Sequence, residues 1–224
     1  AKFSGGHALQ GTKGGMVVAR HNEVRDELGF LATLATTSNA VRDEPLIHTG
    51  LNTLAGGAAA QQAGLNSTGR NDENAERGDL LIQGLWTKET LCIVDIRIMD
   101  TDAASYASST PEKVLRKHEQ EKKKKYLESC MEQRRHFSPF VCSTDGMLGL
   151  EAQQLLKRIA GKLAIRWQAT YSQVCGYVNA RMSIAIIRAT HLCLRGSRVP
   201  TKHISTRWSQ WDDGAGLGLF RCGA

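Results

Sequence analysis

Two aspartates and one arginine offer the clearest chemistry in this chain: Asp79, Asp95 and Arg97, within the stretch from Glu76 to Ile98. Apolar runs Leu80-Leu81-Ile82 and Leu91-Cys92-Ile93-Val94 flank the polar break Thr87-Lys88-Glu89-Thr90, the pattern of two strands around a turn. A turn centred near Thr87 and Lys88 sets Asp79 across from Asp95 to within one position, which brings their Cβ atoms to roughly 5 Å. Two carboxylates so placed repel, and one pKa must rise. A divalent cation relieves the conflict, and hard oxygen ligands at that spacing suit Mg²⁺ or Mn²⁺. Strand alternation puts Arg97 on the face of Asp95, where its charge could meet an anionic substrate. The plainer reading is a pair of solvated carboxylates flanking a turn.

A hairpin alone cannot hold such a site, and the rest of the chain must supply its supports. From Val17 a helix is expected, since Val17, His21, Val24, Leu28, Leu31 and Ala35 recur at three and four residues as one buried stripe. His21 falls on that stripe, so it reads as a packed core histidine or as a group facing the site. Glu23 and Glu27 are candidates for an acid presented by the same helix, with surface ion pairs as the simpler role. Glu44 to His48 reads as a short extended piece, because Pro45 disfavours helix before it. Residues 50–76 read as a long polar and glycine-rich loop.

Thr110-Pro111-Glu112 is a helix start, with threonine as N-cap and proline at the first helical position, and the helix should run to about Arg134. It carries the run Glu121-Lys122-Lys123-Lys124-Lys125-Tyr126. At about 100° per residue, Lys122 falls within about 20° of Leu115 and about 40° of Tyr126, while Lys124 points the opposite way and Lys125 lies at the margin. An inward lysine wants an anion, which the aspartates or a bound phosphate would supply; a stem snorkelling past the core edge is the alternative. His136 to Cys142 reads as a third strand, ending at the turn Ser143-Thr144-Asp145-Gly146. A C-terminal helical pair follows, about Leu150 to Trp167 and Tyr171 to Leu194, the second with the buried stripe Tyr171, Val174, Val178, Met182, Ala185, Ala189 and Leu192. The tail 199–224 has no period and reads as disordered.

Composition sets the outer limits. With 224 residues, 29 Lys and Arg against 22 Asp and Glu, and a net charge of +7, the chain is large enough for a real core and basic enough to favour nucleic acid. Its six cysteines show no CxxC spacing and mostly sit in apolar runs, which suits buried thiols in a reducing compartment rather than zinc or disulfides. No signal peptide or spanning apolar segment is visible, so an intracellular protein without a membrane is expected. The chain starts at Ala1 with no initiator methionine, as a piece of a longer polypeptide would.

Several blocks in order, His7-Ala8-Leu9 with Gly14-Gly15, RHNEVRD (20–26), Arg77-Gly78-Asp79, Asp95-Ile96-Arg97, EKKKKY (121–126), FSPFVCSTDGMLGLEA (137–152) and LCLRGSR (192–198), resemble the segment that follows the reverse transcriptase in many eukaryotic retroelement reading frames. That segment is similar to the restriction-like endonuclease, of PD-(D/E)XK type, of site-specific non-LTR retrotransposons. The resemblance spans roughly residues 3–198. It implies a restriction-endonuclease-like mixed α/β sheet flanked by helices over about 16–146, with the helical pair of 147–198 appended and a degenerate knuckle-like loop at 1–15. It further implies a nuclear, Mg²⁺- or Mn²⁺-dependent endodeoxyribonuclease that nicks DNA for primed reverse transcription, with DNA, the element RNA and an upstream reverse transcriptase of the same polypeptide as partners. Asp79 and Asp95 take the places of the metal-binding acids, with Gly78 where the family has proline. Arg97 stands where the family's usual lysine is found, and that lysine can instead come from the next helix, here Lys122 or Lys125. Arg20, His21, Arg77, Lys123 and Tyr126 are the expected nucleic-acid contacts. Of the family's Cys/His zinc knuckle only His7 matches, with Gly11 in the place of a cysteine, so zinc is not supported. The competing reading is a catalytically inactive nucleic-acid-binding or polymerase-supporting module of a decayed element.

Overall fold

The computed structural model describes residues 16–47 and 76–195. Along the chain run helix α1 (Met16–Ala35), strand β1 (Val41–Asp43), strands β2 (Leu80–Gln83) and β3 (Leu91–Met99), helix α2 (Pro111–Glu132), strand β4 (His136–Ser143), and helices α3 (Leu150–Trp167) and α4 (Tyr171–Arg195). The strands form one mixed sheet in the order β1-β2-β3-β4, antiparallel except for the parallel β3–β4 pair. The protein is therefore mixed α/β, as expected from the sequence.

The hairpin forms with the expected register. Leu80 faces Val94 and Gln83 faces Leu91, and Gly84 (φ 73°) takes the positive φ at the turn, with its amide donating to Thr90 O at 2.9 Å. Alternation along β3 then divides its side chains. Cys92, Val94 and Ile96 join the larger core, built with Val24, Leu28 and Leu31 of α1, Phe140 of β4, and the apolar stripes of α3 and α4. Ile93 joins a smaller cluster on the opposite face with Ile47, Phe137 and the α2 residues Tyr126 and Cys130. By period two, Asp95 and Arg97 share the face of Ile93, under α2. The helices α3 and α4 bury their stripes in the same core as the sheet.

Several expectations are corrected. Strand β1 was not foreseen: three residues carrying Arg42 and Asp43 are too short and too charged for a period, and they suit an edge. The extended piece at 44–48 is realised as a bridge between Leu46 and Arg77, with Ile47 buried; His48 lies outside the described residues. Thr110 occupies the N-cap, yet its side chain makes no capping bond, and Pro111 sets the first turn. On α4, Tyr171 and Leu192 are exposed, and Ile186 and Cys193 are buried in their stead. The residue rise of 100° over seven turns drifts the buried stripe sideways, which a straight reading of the spacing misses. Cys92, Cys130, Cys142 and Cys193 are buried free thiols, and burial pushes the Cys142 thiol up to about 12. No helix among the described residues is long and apolar enough to cross a membrane. The loop 50–75, the glycine-rich start with His7, and the tail 199–224 lie outside the described residues.

Candidate functional site

Asp79 stands one place before Leu80, and extending the ladder sets it opposite Asp95. At this point the pairing departs from a regular ladder. The Asp79 amide donates to Val94 O at 2.9 Å, and the Ile96 amide donates to the Asp79 carboxylate (Oδ2) at 2.5 Å, so a side-chain oxygen serves where a main-chain carbonyl would otherwise accept. Gly78 makes this close approach feasible. A Cβ there would lie 2.5 Å from Ile93 Cγ2, and the Gly78 amide donates to Pro45 O at 2.9 Å, a bond that the proline of the related motif could not form.

His21 reaches the same oxygen from α1: its Nε2 lies 3.2 Å from Asp79 Oδ2. The bond to Asp79 raises the His21 pKa above its usual value, against partial burial and the nearby Arg25 charge. The sequence put His21 on the helix's buried stripe, as a packed core histidine or as a group facing the site; it is half-buried and faces Asp79. Arg20 is the residue buried on that face, at 5 % exposed. Glu23 and Glu27, the other candidates from α1, turn to α4: Arg181 Nε lies 2.6 Å from Glu27 Oε1, and Arg188 Nη1 lies 3.9 Å from Glu23 Oε1.

Lys122 approaches from the opposite side of the sheet, as the angular reading of α2 requires. Its Nζ lies 2.5 Å from Oδ2 of Asp95, whose residue is 5 % exposed. Burial raises the Asp95 pKa, and the charge of Asp79 adds to the rise; Lys122 and His21 oppose it. Asp95 thus feels the charge of Asp79, with Lys122 set against Asp95 and His21 against Asp79.

The remaining candidates are held apart from this centre. Arg97 shares the face of Asp95, but its guanidinium bonds Glu121 Oε2 at 3.2 Å and Met99 Sδ at 3.1 Å. Lys125 is exposed, bonding the Tyr126 hydroxyl at 2.9 Å and pairing with Glu76 at 3.0 Å, and these bonds raise its pKa. Tyr126 is buried against Phe137. Lys123 pairs with Glu151 at the start of α3 at 2.5 Å, Lys124 faces outward, and Arg77 is exposed. Sequence reasoning also missed a chain of bonds beside Arg97, from Tyr106 through His118 to Glu121. The only local signal for it was the three-residue spacing of His118 and Glu121 on one helix.

Among the described residues no group of three or more His, Cys, Asp or Glu side chains is gathered to hold a metal. Mg²⁺ does not need one, because it is commonly held by one or two carboxylates with water and substrate phosphate. Asp79 and Asp95 are two hard carboxylates of the β2–β3 hairpin, and Oδ2 of Asp95 is a buried anionic oxygen already met by the Lys122 ammonium. In its oxygen chemistry the pair suits a small divalent cation, which would have to displace Lys122 from Asp95. Comparison of the chain with protein-family models and with curated proteins returns no match.

Proposed function

We propose that this chain is a metal-dependent DNA endonuclease of the restriction-like class, working within a retroelement polyprotein beside a reverse transcriptase, in the nucleus, to nick target DNA for primed synthesis on element RNA. The observation that carries this reading is the Lys122–Asp95 pair, an inward cation on a buried carboxylate that faces a second carboxylate across a hairpin. A sheet with one parallel strand brought in through α2 supports it, because that crossover is what delivers Lys122 to β3.

Asp79 and Asp95 would hold Mg²⁺ or Mn²⁺, and the bound ion supplies a lowered pKa for an attacking water. The protein's own groups do the rest. Lys122 presents positive charge beside Asp95, where a scissile phosphate drawn to the same centre gains charge during cleavage. His21 and the Ile96 amide fix the orientation of the Asp79 carboxylate. Arg97 is held by Glu121 and Lys125 by Glu76, whereas Lys122 meets Asp95 itself, which favours Lys122 as the lysine of the motif; Arg97 could not replace it in proton chemistry. A nucleic-acid-binding module without catalysis would be favoured by a carboxylate pair lacking an inward lysine, and Lys122 speaks for the enzyme.

The test is nicking of supercoiled plasmid by the full chain with Mg²⁺ or Mn²⁺. Lys122→Ala should abolish it with only a modest change in DNA affinity, while Lys124→Ala, on the outward face, should leave it intact. Wild-type protein that binds DNA with steep salt dependence and never nicks it with either ion would establish the binding module instead.

A further inference from the structure

Beside the carboxylate centre, on the same side of the sheet, lies a second constellation that the proposed cleavage does not use. The short 3-10 helix Ala104–Tyr106 sets the Tyr106 hydroxyl 3.0 Å from His118 Nε2, and His118 Nδ1 lies 2.8 Å from Glu121 Oε2. Arg97 Nη1 reaches the same Glu121 oxygen at 3.2 Å. His118 is 4 % exposed and Tyr106 is half-exposed. Glu121 stays ionised, its pKa lowered by the bond to His118, so it accepts and His118 Nδ1 must donate. That fixes the tautomer: in neutral His118 the Nε2 lone pair faces the phenolic proton.

A half-exposed phenol could satisfy its hydroxyl with water. Here it is instead tied to an imidazole whose far nitrogen is oriented by a carboxylate, the order nucleophile, base, orienting group. Burial, together with the charges of Arg97 and Lys117, lowers the His118 pKa, so the ring is neutral and able to take a proton near pH 7. Arg97, paired with the same Glu121 carboxylate, is the cation that belongs to this constellation.

We infer that Tyr106, His118 and Glu121 form a metal-independent phosphoryl-transfer centre, in which Tyr106 attacks a DNA phosphodiester and becomes covalently linked to it. The phenolic proton passes to His118 Nε2 as Tyr106 Oη bonds to phosphorus. The bond from phosphorus to the leaving deoxyribose oxygen breaks with its electron pair on that oxygen, which takes the proton back from His118. The products are a phosphotyrosine diester and a free hydroxyl, with no change of oxidation state, and the reverse step rejoins the strand. Glu121 is a positioning residue that acts through His118.

The experiment uses the full chain with excess chelator and the p-nitrophenyl ester of thymidine 5′-phosphate as probe, which keeps it separate from metal-dependent nicking. The expected result is a stoichiometric burst of p-nitrophenol and a nucleotidyl adduct that peptide mapping assigns to Tyr106. Tyr106→Phe, which removes only the hydroxyl, should abolish the burst with unchanged thermal unfolding, and Glu121→Gln should slow the burst while leaving its amplitude. Lys124→Ala, on the outward face of α2, should leave it intact. Absence of a burst, an adduct on another residue, or a burst that survives in Tyr106→Phe overturns the inference. Should Tyr106→Phe fail to fold, the site of the adduct on the wild-type chain decides.

Discussion

Lys122 Nζ lies 2.5 Å from Asp95 Oδ2, joining the middle of α2 to a buried position on β3. Burial works against the Asp95 charge, and Lys122 is the first influence that opposes it. Lys122→Met should therefore strand a buried carboxylate, costing about 2–4 kcal/mol at neutral pH. The sign is fixed by the raised Asp95 pKa. The folded state then holds a proton that the unfolded state releases, so the loss is complete above the folded pKa and shrinks as acidification protonates Asp95 in the fold. Urea unfolding of the variant from pH 7 downward checks this, and a loss that is independent of pH would mean that Lys122 contributes packing rather than charge.

Asp79→Asn and Asp95→Asn should each weaken Mn²⁺ binding in calorimetry, because each replaces an anionic oxygen ligand by a neutral one. Lys122→Met should have the opposite effect on Mn²⁺ in the absence of DNA, since it removes the cation that already occupies Asp95. Equal binding by the wild type and both asparagine variants would place any metal elsewhere.

The His21 pair predicts a second pH dependence, centred on the histidine rather than the carboxylate range. Its pKa is raised chiefly by the bond to Asp79, so its contribution to stability is fully present below the usual histidine value of about 6.5 and is lost as pH rises through the folded value. The wild type should lose this increment on going from mildly acid to mildly alkaline solution. His21→Asn should flatten that part of the stability profile, and an unaltered slope in the variant would assign the dependence to another group.

Gly78 predicts a steric cost. Gly78→Ala puts a Cβ 2.5 Å from Ile93 Cγ2 and should cost about 1–3 kcal/mol by overpacking. Gly78→Pro should cost more, because it also removes the amide that donates to Pro45 O. Chemical denaturation of both variants measures the order, and a proline variant as stable as the wild type would show that this segment can be rebuilt around the related motif.

What the sequence by itself determined lies within single elements or between neighbours. The apolar runs and the polar break at 87–90 place the hairpin turn, and with it the register that opposes Asp79 and Asp95. Helical angles put Lys122 inward and Lys124 outward, and strand alternation puts Asp95 and Arg97 under the same helix. These follow from fixed periods of 3.6 and two residues, which need no knowledge of distant chain. Tertiary structure alone decided which charges meet. His21 finds Asp79 across 58 positions because α1 packs on the sheet face that carries Leu80 and Val94. The same docking lets Arg181 and Arg188 of α4 take Glu27 and Glu23, and lets Glu121 of α2 take Arg97. No period encodes those meetings, since a charged side chain pairs with whichever opposite charge the packing of the apolar faces brings within a few ångströms, and that packing is settled by the whole core at once.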